Sequence, residues 1–299
     1  MCSNWQRRRK TVRKEESSMS WGKRSWRITA FIFIACGALF AFIGLMACGF
    51  DFSKINTLGD PERNEHVITE SFTGIRVDTS TADVTIKESR DGKVKVVCDE
   101  REKEKHEVKV VDGVLDIKLK RDVPWYDRLF NFSFSDDQKV VIYLPKQENK
   151  EWEKYGFTPF YTLDSLAIEV STGDVNLDGL AVTGELKVDV STGHTTLSNI
   201  GAGTLNVDES TGKTTLTNVI SKGEMRLNAG TGDIILTKCD AGTVVIDTGT
   251  GDVSCEFLSP KVVEADTGTG DVVLSEKYET GGRCRIDTGT GDISVKYVK

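Results

Sequence analysis

The sequence predicts an all-β protein: a single-stranded parallel β-solenoid, β-helix-like with about 20 residues per coil, after one N-terminal transmembrane helix. Three observations carry this expectation. A glycine-centred unit recurs through residues 163–299, apolar residues flank it with strand periodicity, and residues 28–50 hold no charged side chain. The chain has 299 residues, 38% of them hydrophobic, which is enough for a sizeable core.

Residues 1–27 read as a basic cytoplasmic tail with a net charge of +7, which leaves −14 on residues 51–299. Between them lies ITAFIFIACGALFAFIGLMACGF, 23 residues from Ile28 to Phe50. At about 1.5 Å per residue, such a helix crosses a hydrocarbon core of about 30 Å. Basic residues stay on the cytoplasmic side, so the expected topology is single-pass in the cell membrane with an extracytoplasmic C-terminal domain. Leu45-Met46-Ala47-Cys48 resembles a bacterial lipobox, so lipidation of Cys48 stands beside an uncleaved anchor. Met19 stands beside Met1 as a start, because MSWGKRSWR makes a compact basic n-region. The acidic domain argues against nucleic acid as a partner.

Residues 51–162 are expected to form an irregular β-rich part that starts and caps the solenoid, with 51–65 as a short stalk. The segment Ile75 to Ile86 repeats the later unit with Ala82 in place of glycine. Lys93–Cys98, Glu107–Val111, Val114–Leu119 and Lys139–Leu144 alternate as strands, and Val111-Asp112-Gly113-Val114 reads as a hairpin turn. Residues 146–162 form a polar and aromatic loop.

Residues 163–299 carry the regular array. Its glycines are Gly173, Gly193, Gly212, Gly232, Gly251, Gly270 and Gly291, spaced 20, 19, 20, 19, 19 and 21 residues apart. Mostly apolar columns lie at seven and five residues before each glycine and at two and four after it, as in Leu166, Ile168, Val175 and Leu177. The columns at −5 and +2 are an odd number of residues apart. An unbroken strand of period two cannot point both inward, so the chain must turn or bulge at the glycine. Each unit is too small to hold a core alone, and parallel stacking about 4.8 Å apart sets like on like. Lys296 and Lys299 fall on the last strand, where charge discourages edge-to-edge association.

Two acidic columns accompany the turn: Asp174, Asp233, Asp252, Asp271 and Asp292 after the glycine, and Glu169, Asp189, Asp208, Asp247, Asp266 and Asp287, with Asn228 among them, four residues before it. Turn bonding and solubility are the favoured account of both. The alternative is Ca²⁺ bridging between coils, with Asp247, Asp252, Asp266, Asp271, Asp287 and Asp292 as the candidate ligands. A threonine column (Thr172, Thr192, Thr211, Thr231, Thr250, Thr269, Thr290) is expected to bond backbone at the turn. Cys98, Cys239, Cys255 and Cys284 are widely spaced and read as apolar fillers rather than a zinc or disulfide set. His66, His106 and His194 accompany no nucleophile motif or phosphate loop, so no catalytic residue is assigned. The aromatics Trp125, Tyr126, Phe130, Phe132 and Phe134 are expected to cap the core, or, with Trp152, Tyr155, Phe157 and Phe160, to expose a docking surface.

With these motifs laid out, residues 50–299 resemble the bacterial "putative adhesin" β-strand-repeat family, a family of unknown function. The resemblance rests on Phe50-Asp51-Phe52-Ser53-Lys54, on Trp125-Tyr126-Asp127 before Phe132-Ser133-Phe134, on the (S/G)TGD units, and on Thr280-Gly281-Gly282-Arg283-Cys284. It implies a β-solenoid displayed from the envelope, mainly in Gram-positive bacteria, with no catalytic residues. His194 and Lys213 depart from its aspartate.

The expected function is a non-catalytic, adhesin-like structural or interaction module of the cell envelope. It would be held by residues 28–50 and present its faces to an envelope glycan or protein. The alternatives are the accessory ectodomain of an envelope-stress signalling system and a glycan-active enzyme.

Overall fold

Alternating apolar residues on both sides of each Thr-Gly step make the regular strands of the computed structural model, which describes residues 33, 37, 61–101, 103–121, 138–147 and 149–298. The strands are β9 (Ser165–Thr172), β10 (Val175–Asp178), β11 (Leu180–Thr192), β12 (Thr195–Thr211), β13 (Thr214–Thr231), β14 (Ile234–Thr250) and β15 (Val253–Phe257). From β9 to β15, successive copies pair in parallel, column on column. Val175, Thr195, Thr214, Ile234 and Val253 follow one another across the ladder. Leu166, Leu186, Leu205, Met225 and Val244 are buried beneath it. Strands β11 to β14 continue around a second corner, where Gly179, Asn199, Asn218 and Lys238 take φ of 69°, 52°, 56° and 53°. Asparagine tolerates this left-handed region, and here it also links coils: Asn218 Nδ2 donates to Asn199 Oδ1 and Asn199 Nδ2 to Asp178 Oδ1, at 2.9 and 2.8 Å.

The N-terminal strands are β1 (Pro61–Ile68), β2 (Gly74–Thr81), β3 (Asp83–Glu88), β4 (Val94–Arg101), β5 (Glu104–Val111), β6 (Val114–Arg121), β7 (Lys139–Leu144) and β8 (Tyr161–Leu163). The unit formed by β2 and β3 lies between β6 and β7 on one side and β9 and β10 on the other. The C-terminal strands are β16 (Lys261–Thr267), β17 (Val272–Leu274), β18 (Gly282–Thr290) and β19 (Ile293–Tyr297). Here the order inverts: β18 sits between β14 and β16, and β19 between β15 and β17.

The expected single-stranded parallel β-solenoid is therefore corrected. All the strands among the described residues join one 19-stranded mixed sheet around a common core. The pairings β1–β4, β4–β5, β4–β7 and β5–β6 are antiparallel. The physical cause at β5–β6 is the tight turn at Asp112 and Gly113, whose φ of 50° and 77° reverse the chain in two residues. Sequential winding also fails at the C-terminal end. Ile286 and Cys284 of β18 fill the interior position against Ile246 and Val244, whereas Ala265 of β16, with less to bury, takes the outer one. The last strand is thus interior, and the open edge belongs to β16 and β17, where Val262, Val272 and Val273 are exposed.

The transmembrane helix and the single-pass membrane localisation are corrected as well. Among the described residues no helix is long and apolar enough to cross a membrane. A span needs about 20 continuous helical residues to satisfy its backbone in hydrocarbon. Of residues 28–50 only Phe33 and Gly37 are described, both helical. The tail, Cys48, most of the stalk and residues 122–137 lie outside the described residues.

Candidate functional site

The turn ridge is built by glycine. Gly173, Gly193, Gly212, Gly232, Gly251, Gly270 and Gly291 take φ between 140° and 154°. A Cβ on Gly232 would overlap the Gly212 carbonyl oxygen of the neighbouring coil, so both conformation and space require glycine. The threonines before these glycines lie exposed and in register. The aspartates after them bond between coils. Asp174 N–H donates to Asp83 Oδ1 (2.9 Å), His194 N–H to Asp174 Oδ1 (2.7 Å) and Asp252 N–H to Asp233 Oδ1 (3.1 Å). Beyond them, Asp292 N–H donates to Asp252 Oδ1 (2.8 Å) and Asp271 N–H to Asp292 Oδ1 (2.9 Å), following the inverted coil order. His194 keeps the ladder by accepting from Lys213 N–H at Nδ1 (3.0 Å), which places its ring proton on Nε2.

The six calcium candidates divide between two ridges. Asp252, Asp271 and Asp292 join the ladder just described, while Asp247, Asp287 and Asp266 stack in register on the strand face. Among the described residues, none of the six belongs to a converging group of metal-ligating atoms. Cys239, Cys255 and Cys284 are free and buried in the core. Burial pushes the thiols of Cys239 and Cys284 up to about 12 and that of Cys255 well above its ordinary value. Trp152 and Phe157 are buried against the outward-facing Ala181 and Ile220, so they close a small second core.

A buried polar cluster was not foreseen in the sequence. It joins β2, β4 and β5: Thr79 Oγ1 lies 3.0 Å from His106 Nε2, and His106 Nδ1 lies 2.9 Å from Glu100 Oε2. Glu100 also accepts from His106 N–H (2.6 Å) and Asn64 Nδ2 (2.7 Å). Burial alone would raise the Glu100 carboxyl, but these bonds outweigh it and hold the group below its ordinary value. Cys98 completes the cluster, its thiol pushed up to about 12 by burial. The ligand atoms of Cys98, Glu100 and His106 all lie within 4.8 Å of one another. Hydroxyl, imidazole and carboxylate follow the order of a nucleophilic relay, yet Thr79 is 2% exposed and offers no room for an acyl substrate. The available signal was Glu100 on the same strand face as Val96 and Cys98, with His106 on that of Val108 and Val110.

Two of the grooves among the described residues stand apart from the turn ridge and face solvent. One, of about 600 Å³, is lined by Arg63, Glu65, Arg90, Asp91 and Lys95 among others. Three of its charges are paired with one another: Lys95 Nζ reaches Asp91 at 2.6 Å and Glu65 at 3.2 Å, and hydrogen bonds from Lys95 and Ser89 hold Asp91 well below its ordinary value. The other, of about 640 Å³, crosses β3, β10 and β12 and combines Thr85, Asn176, Asp178, Thr196, Ser198 and Asn199 with the ring of Phe160.

Among the described residues, fold and surface together define an all-β repeat protein whose polar ridges and grooves face outward around a largely apolar core. Residues 72–299 match the Toastrack DUF4097 family, and the chain belongs to it. Among solved structures it is similar to a Bacteroides fragilis protein described as a putative adhesin. Identity is 16% and the TM-score 0.52, over 80% of this chain and 97% of that one. At that identity the likeness is one of fold. It is also similar to a Parabacteroides distasonis protein described as a putative adhesin (15%, TM-score 0.39, 80% and 98% covered). A Clostridium sporogenes protein described as a putative cell adhesion protein matches at 14%, TM-score 0.36, with 80% and 100% covered. No curated protein matches the chain.

Proposed function

We propose that this chain is a non-catalytic, adhesin-like interaction module that presents its outward grooves to a glycan of the cell envelope. The observation that carries this reading is the groove across β3, β10 and β12. There amides, hydroxyls, the carboxylates of Glu88 and Asp178 and the Lys87 ammonium line one groove with the Phe160 ring, a combination suited to a polyhydroxylated ligand with an apolar sugar face. The closed Thr79–His106–Glu100 cluster supports the non-catalytic part, since its hydroxyl cannot meet a substrate. Titration with envelope-derived oligosaccharides tests the reading. Asn176→Ala and Phe160→Ala are expected to weaken binding by about five- to tenfold each while leaving the strand circular dichroism intact. Equal affinity in wild type and both variants would overturn it.

A further inference from the structure

We propose that Cys98, Glu100 and His106 bind one divalent metal ion of the zinc class. Three donors of the types zinc prefers meet within 4.8 Å in a buried site. A tetrahedral ion with bonds of about 2.0–2.3 Å holds its ligand atoms roughly 3.3–3.8 Å apart, so small side-chain shifts suffice. Thiolate and carboxylate neutralise the ion, imidazole adds a neutral donor, and sulfur with nitrogen selects against calcium and magnesium.

The surroundings are those of a ligand shell. Asn64 Nδ2 fixes the Glu100 oxygen away from His106, at 2.7 Å. With His106 bound through Nδ1, its proton rests on Nε2 and is donated to Thr79 Oγ1, now 3.0 Å away. Binding converts the Cys98 thiol to thiolate and releases its proton to solvent. His66 lies outside this group of three, and its buried Nε2 has no hydrogen-bond partner among the described residues. Antiparallel pairing sets Asn64 opposite Cys98 and His66 opposite Val96, so His66 is the diagonal neighbour of Cys98 on one face. A water fills the fourth position. This site is separate from the glycan groove, and either proposal can fail alone.

The test uses the full chain, stripped by chelator and dialysed against Co²⁺. The expected result is one ion per chain, a thiolate-to-cobalt charge-transfer band that Zn²⁺ bleaches, and a Tm raised by Zn²⁺. Cys98→Ser should abolish the band, and His106→Gln should weaken retention at least about tenfold. Cys239→Ser, a buried thiol elsewhere, should change neither. A folded wild-type protein that retains no cobalt and shows no band overturns the proposal, as does a band that survives in Cys98→Ser.

Discussion

Two buried carboxylates respond to pH in opposite directions. Glu100 is held below its ordinary 4.5, so its contribution to stability is complete above that value and is lost as pH falls through the folded value. In Glu100→Gln this part of the acid destabilisation should vanish from pH-dependent urea unfolding. Glu209 takes the inward position that Val190 and Ala229 hold in adjoining coils, bonded at 2.7 Å to Thr214. Burial raises it above 4.5, so it costs least below that value and progressively more as pH rises through the folded value. Glu209→Gln is therefore expected to raise Tm at pH 7, with the gain disappearing in acid. At the ridge, His194→Ala should cost about 1 kcal/mol by orphaning the Lys213 N–H, and His194→Asp should restore most of it. Aspartate after glycine was legible as a turn residue. Its bonding to the next coil was not, because that partner is about 20 residues away and is set by stacking.

At the scale of the element, the strand and corner pattern was open to sequence reasoning because period two and the odd spacing across glycine are local constraints. Gly232→Ala should cost about 3 kcal/mol or more, from a φ of 141° and the overlap with Gly212, read as the shift in denaturant midpoint. The hairpin at Asp112-Gly113 was equally visible. The cluster of Thr79, Cys98, Glu100 and His106 was not, since it depends on which face of β4 and β5 meets β2. The aromatic loop shows the same limit. Outward apolar residues such as Ala181 and Ile220 become intelligible only once Trp152 is seen to cover them.

Across the whole molecule, coil order was illegible for a physical reason: copies with the same columns and the same Thr-Gly-Asp turn pair almost equally well with one another. Engineered cysteines read the order directly. Asp247→Cys with Asp287→Cys are ladder neighbours about 4.8 Å apart and should form a disulfide. Asp247→Cys with Asp266→Cys, two strands apart at about 9.6 Å, should not. The inserted final copy also governs how the protein bears load. An edge strand pulled from its end peels away one hydrogen bond at a time. Strands β18 and β19 are flanked on both sides, so tension at the C-terminal end must shear two ladders together before anything unwinds. Strands β18 and β19 are held like a wedge, and a pull on them is expected to yield in one abrupt step.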